Sequence, residues 1–196
     1  MSRKPSPEVA AILAANRFVR FLPKAALRRV LDEEGTRLCG WCHSPLDRRS
    51  IGWCSDDCGD EFWVRTSRSH AAVLVYRRDQ GVCAMCGLDA EQVLRIVDRL
   101  RERSERRWLR SGETREPTDR DAARWQRLRT ELTNRGYGLV DRWHTPLLWE
   151  ADHIVPVIEG GGCCGLENYR TLCIPCHRAE TRNLRSRMRR QRSLAL

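Results

Sequence analysis

Ten of the 196 residues are cysteines, and eight stand in short-range pairs: Cys39 with Cys42, Cys54 with Cys58, Cys83 with Cys86, and Cys173 with Cys176. A C-x2-C pair offers two thiolates from one knuckle, and two knuckles together complete a tetrahedral zinc shell at about 2.3 Å. Cys83, Cys86, Cys173 and Cys176 are therefore expected to close one structural zinc site, and Cys39, Cys42, Cys54 and Cys58 a second. His43 adjoins the second set but is a neighbour, because four thiols already suffice. Cys163 and Cys164 sit in a glycine-rich turn and stay unassigned, either as free thiols or as substitutes in an adaptable site. Both Cys39-Gly-Trp-Cys-His43 and Cys173-Ile-Pro-Cys-His177 match the haem-attachment pattern, which is rejected because each pair has a second cysteine pair as partner and no export signal precedes them. A further group combines a carboxylate, an amide and two imidazoles: Asp152-His153, then Asn168, then His177. These are residue types of metal-assisted hydrolysis. Singly each has a plainer explanation, a polar turn for the Asp-His pair and a helix cap for the asparagine.

Several elements must position these groups. Ser6 as N-cap, Pro7 at the first helical position and Val9, Ile12, Leu13 and Val19 at helical spacing predict an opening helix. A second short helix is expected after Pro23, through Leu27, Val30 and Leu31 to Gly35. Knuckles and turns follow over residues 39–58, then a helix carrying Phe62, Trp63 and Val64. The second knuckle, Gly81-Val-Cys-Ala-Met-Cys-Gly87, precedes two helices at about 89–110 and 118–134, divided by Gly112 and Pro117. Their alternating Arg and Glu residues indicate a solvated surface. A strand, a bend and a second strand are expected over residues 147–158, a turn at Gly160-Gly-Gly162, and a final helix over 174–192 with an outer half rich in arginine.

The run Trp149-Glu-Ala-Asp-His-Ile-Val-Pro156, the glycine turn, Leu166-Glu-Asn-Tyr169 and Leu172-Cys-Ile-Pro-Cys-His177 resembles the HNH (ββα-metal) endonuclease family. The region 39–70, with Trp53-Cys-Ser and Glu61-Phe-Trp-Val-Arg65, is similar to the zinc module beside the HNH domain of vertebrate annealing helicase-endonucleases. The resemblance implies an α+β fold: a zinc-stapled ββα-metal core with a helical insertion at about 88–135, preceded by N-terminal helices over 1–36 and a four-cysteine zinc module with its helix over 37–80. The HNH domain would occupy 81–196. It further implies DNA phosphodiester hydrolysis with one divalent ion, Mg²⁺, Mn²⁺, Ni²⁺ or Zn²⁺, on Asp152 and His177. His153 would be the general base on water, and Asn168 would tie the loop between the strands and so orient His153. Arg170, Arg178 and Arg182 are candidates for phosphate contacts. The chain has no room for a helicase motor, so no ATP-driven activity is carried over.

Composition is compatible with this. The formal charge is +10, and two four-thiolate zinc sites would leave about +6, a balance suited to nucleic acid. With 41% hydrophobic and 32% charged residues, the chain reads as soluble, with no segment apolar enough to span a bilayer. The absence of an apolar leader sets an expectation of a cytoplasmic protein, nucleoid-associated or phage-encoded and intracellular. A non-catalytic zinc-dependent nucleic-acid-binding module shares the charge and the cysteines but has no need of His153. A protein-binding adaptor would show no salt-dependent DNA affinity.

Overall fold

The computed structural model describes residues 4–27, 30–111, 119–137 and 148–194. The chain divides into two compact units that do not follow chain order: Met1–Asp79 with Ala151–Arg170, and Gln80–Glu150 with Thr171–Leu196. Among the described residues, helices and two two-stranded sheets make an α+β architecture.

In the first unit, helix α1 (Pro7–Ala15) begins as its sequence predicts. The Ser6 side chain accepts a hydrogen bond from the Val9 N–H at 3.2 Å, and Pro7, lacking an N–H, loses nothing at the first position. The second helix expected up to Gly35 is a single 3-10 turn, Lys24–Leu27, followed by a hairpin of β1 (Val30–Leu31) and β2 (Arg37–Leu38). These pair antiparallel, Val30 opposite Leu38 and Leu31 opposite Arg37. The cause is local: the Asp32 carboxylate accepts from the backbone N–H of Glu34 and of Thr36, at 3.1 and 2.7 Å, and Gly35 takes φ of 78°. That chemistry doubles the chain back.

Helix α2 (Asp56–Thr66) is capped by Ser55, with Asp56 and Asp57 at its positive end. Helix α3 (Arg68–Asp79) follows after the extended Ser67. It was not anticipated, although Ala71, Leu74 and Val75, its buried residues, stand at helical spacing. The core of this unit gathers Val9, Leu22, Leu27, Trp41, Phe62 and Cys163 around the first cysteine set.

The returning segment of this unit is held at both ends. Arg78 of α3 donates to the carbonyl oxygens of Leu166 and Tyr169 at 2.8 and 2.7 Å. The Gly162 and Cys163 N–H groups donate to Arg17 and Val19 carbonyls at 2.6 and 2.8 Å. The second strand expected to end at Ile158 is instead a 3-10 turn, Val157–Glu159, closed by Gly160 at φ 94°. Pro156 brings no donor to a ladder, and its carbonyl accepts from both Glu159 and Gly161. Strand β3 (Trp149–His153) therefore pairs with the later β4 (Tyr169–Cys173), and the division between the units passes through both strands.

In the second unit, helices α4 (Ala90–Ser111) and α5 (Asp119–Asn134) stand where the sequence placed them. Ala90, Val93 and Val97 of α4 and Leu128 and Leu132 of α5 share a core with Tyr137, Leu148 and Leu172. Glu91 with Arg95 and Glu131 with Arg135 pair along the helix surfaces, as expected of a solvated face. The Tyr137 hydroxyl donates to the Leu148 carbonyl at 2.7 Å. Helix α6 (Ile174–Leu194) leaves directly from β4, completing the β, β, α order. Among the described residues no helix is long and apolar enough to cross a membrane.

Candidate active site and zinc centres

The eight paired cysteines converge as their spacing predicts. In each of the two sets the four Sγ atoms lie within 4.8 Å of one another. In the first set, Cys42 to Cys54 and Cys54 to Cys58 are 3.6 Å and Cys58 to Cys42 is 3.9 Å. In the second, Cys86 to Cys173 is 3.6 Å. A tetrahedron of sulfurs about a zinc ion at 2.3 Å has edges of about 3.8 Å, whereas a disulfide needs about 2 Å. None of the ten cysteines is in a disulfide, and each set has the dimensions of a zinc shell and can hold the ion.

The thiols within each set differ in how readily they ionise. Burial opposes charge on Cys42, yet hydrogen bonding with Ser44, Cys54 and Cys39 brings its thiol down to about 6. Burial, opposed by Ser55 and reinforced by Cys54, Cys39 and Cys42, pushes Cys58 up to about 12. At Cys83 burial is likewise overcome, by backbone groups of Cys173, Cys86 and Met85, and the thiol falls to about 7, while burial and its sulfur neighbours push Cys176 up. Four sulfurs this close cannot all carry charge without a cation among them. His43 takes φ of 56° and turns its Nδ1 to Glu8, 3.3 Å away, outside the sulfur cluster. Cys163 is buried and donates to the Val19 carbonyl; burial first, then the adjoining Cys164, raises its pKa. The pKa of Cys164 is raised as well, again chiefly by burial. Neither belongs to a sulfur cluster.

Asp152, His153, Asn168 and Arg170 belong to the first unit; His177, Arg178 and Arg182 belong to the second. Asp152 and His153 end β3, where successive side chains take opposite faces. The Asp152 carboxylate accepts from Arg170 Nε and Nη2 at 3.3 and 3.1 Å, both side chains about one-fifth exposed. Arg170 is thus a half-buried partner of the carboxylate. His153 is buried, with its ring centroid 4.4 Å from that of Tyr169. Its Nε2 is buried and has no hydrogen-bonding partner. Burial, and then the positive charge of Arg20, lower its pKa below the usual imidazole value, with Asp152 opposing. The neutral form is favoured, as proton acceptance requires.

Asn168 does what an asparagine before a strand can do when both amide ends are used. Its Oδ1 accepts from the Val155 N–H at 2.8 Å, and its Nδ2 donates to the Val155 and Gly161 carbonyls at 3.1 and 2.9 Å. Its own carbonyl accepts from the Ile154 N–H at 2.8 Å. The loop directly after His153 is thereby tied to the start of β4. In the second unit, His177 Nδ1 lies 3.3 Å from a carboxylate oxygen of Glu150, and its carbonyl accepts from Thr181. Sequence reading passed over Glu150, although a carboxylate two residues before Asp152 in a strand was a readable signal. Tyr169 and Arg20 carried no such signal.

Residues 141–183 match the family model described as HNH endonuclease. The chain carries an HNH endonuclease domain. The HNH segment comprises β3, Asn168, β4 and the first turns of α6, and includes Cys173 and Cys176. Beyond that segment, the chain is similar to "DNA annealing helicase and endonuclease ZRANB3" of Bos taurus, 34% identical over 83% of this chain and 15% of that protein. The Mus musculus protein of that name is 33% identical over 81% of this chain and 14% of its own length, and the Homo sapiens one 31% over 83% and 15%. The chain therefore spans about one-seventh of the length of these curated relatives. No solved structure matches. The HNH match is confined to residues 141–183, and the similarity to these relatives takes in most of the chain.

Proposed function

We propose that this HNH protein is a metal-dependent DNA endonuclease in which His153 activates water for attack on a phosphodiester. The observation that carries the reading is His153: a buried imidazole, held toward its neutral form, whose Nε2 has no partner in the protein. An unpaired buried nitrogen costs stability unless it is used, and a base of this kind is used when it takes a proton from water. The names of the relatives, which include DNA and endonuclease, support the choice of substrate.

Asp152 and His177 would hold one divalent ion, since a carboxylate oxygen and an imidazole nitrogen suit Mg²⁺, Mn²⁺, Ni²⁺ or Zn²⁺. The fit rests on donor chemistry and on the cation already beside Asp152, the Arg170 guanidinium. When bound, the ion would neutralise phosphate charge and stabilise the leaving 3′ oxygen. The protein supplies the rest. Asn168 holds the loop that begins beside His153, and so orients the ring without entering the chemistry. Arg170, with two N–H groups on Asp152, holds that carboxylate in place. The two cysteine sets would each hold a structural zinc, the second fastening β4 and α6 to the knuckle before α4.

Replacing His153 with alanine tests this directly. Cleavage of plasmid and branched DNA in Mg²⁺ or Mn²⁺ should fall by about 10²–10⁴-fold, the usual contribution of a positioned base. Equal cutting by variant and wild type would remove His153 from the chemistry. Absence of cutting by the wild type, with DNA binding retained, would leave a non-catalytic binding module.

A further inference from the structure

Helix α6 contains seven arginines and one acid, Glu180. Arg178, Arg182, Arg185, Arg189 and Arg192 follow one another at alternating spacings of four and three. At 3.6 residues per turn they fall within an arc of about 80° along about 21 Å of helix. All five are exposed. Their side chains make no ion pair or hydrogen bond with the described residues. His177, Thr181, Leu184 and Met188, on the adjoining side of the helix, are half-buried, so the packed stripe and the arginine stripe are distinct. Arg187 and Arg190 lie off both, roughly 120–180° from Arg178. The contrast with α4 and α5 is chemical: there Glu91 and Glu131 neutralise Arg95 and Arg135, whereas the α6 stripe has no acid within it.

We infer that this stripe is a docking surface for the sugar-phosphate backbone of duplex DNA, leading away from His177, the residue just before its first arginine. The inference rests on the nuclease reading for its choice of polyanion and adds where the duplex lies on the chain. Guanidinium groups are planar forks matched to phosphate oxygens. Five in line supply sequence-independent affinity through counterion release. An anionic lipid surface fits less well, because membrane-lying helices insert exposed apolar residues. None of the exposed large apolar residues among those described belongs to α6.

Two charge-matched variants of the full chain separate a stripe from a diffuse basic field: R185Q/R189Q on the stripe and R187Q/R190Q off it. Each removes two charges from exposed positions. Binding of a short fluorescent duplex is followed by anisotropy, without added divalent metal, between about 50 and 200 mM NaCl. Each phosphate contact contributes about 0.9 to the slope of log affinity against log salt. The stripe variant should lose about two units of slope, and the off-stripe variant far less. Equal losses in both variants, or none in the stripe variant, would overturn the assignment. So would a stripe variant that keeps its duplex affinity but loses binding to phosphatidylserine vesicles. Since no cleavage is measured, these outcomes are independent of those of His153→Ala. A wild type that cuts DNA while both variants bind alike would leave the nuclease standing and remove only the stripe.

Discussion

At the scale of the residue, Asn168 ties the loop that follows His153, and the proposed reading makes it a positioning residue rather than a chemical one. Three hydrogen bonds from its amide reach the backbone of Val155 and Gly161, and Val155 is two residues beyond His153. Asn168→Ala should remove all three and leave the Val155 N–H and two carbonyls short of partners, at a cost of about 1–3 kcal/mol. Thermal unfolding measures that part. Cleavage should fall further than stability, because the loop that directs His153 loses its tie. Asn168→Asp keeps the acceptor for the Val155 N–H but has no donor for the carbonyls, so it should restore little. A variant with lowered stability but full cleavage would make Asn168 a scaffold residue alone. The residue scale also shows where pairing escapes sequence reading: Arg170 was a candidate for phosphate contact, and it lies on the Asp152 carboxylate.

At the scale of the element, the loop between β3 and β4 depends on glycine for contact rather than for flexibility. A side chain on Gly161 would run into the Val155 carbonyl, and one on Gly162 into the Val19 and Arg17 carbonyls. These are backbone atoms held by their own hydrogen bonds, so neither side can yield cheaply. Gly161→Ala should destabilise the protein by roughly 1–3 kcal/mol, the usual cost of overpacking, read as a lower melting temperature with loss of cleavage. Unchanged melting would mean that the loop can shift as a whole. The elements were unevenly legible beforehand. Helices α1, α4, α5 and α6 were readable from caps, periodicity and punctuation. The β1–β2 hairpin was mistaken for a helix because two apolar residues cannot distinguish the two periods, and only the Asp32 turn decides. Helix α3 was readable from Ala71, Leu74 and Val75 but was passed over.

At the scale of the whole molecule, each unit has a sulfur cluster beside its core, Cys39 and Cys58 in the first and Cys83 and Cys173 in the second. Units this small bury limited apolar surface, and a structural metal in each cluster would supply the remainder. Metal analysis of the purified chain should therefore return two zinc ions. Cys58→Ser should return one, with Cys83, Cys86, Cys173 and Cys176 still loaded, and a strong chelator should abolish both cleavage and cooperative unfolding. Two zinc ions in Cys58→Ser would show that the first set is not a closed site.

Some of this was decided within short stretches of chain. The knuckles follow from cysteine spacing and the helices from periodicity and capping, because each depends on neighbours a few residues away, while the HNH pattern follows from the order of Asp152, His153, Asn168 and His177. Other features belong to the folded chain. The lowered pKa of His153 depends on burial and on Arg20, and the exposure of one arginine face of α6 depends on what packs against the other. The grouping of residues 151–170 with the first 79 is likewise a tertiary outcome. Burial and long-range contact are properties of the assembled core, and local sequence carries no record of which distant backbone will come to lie against it.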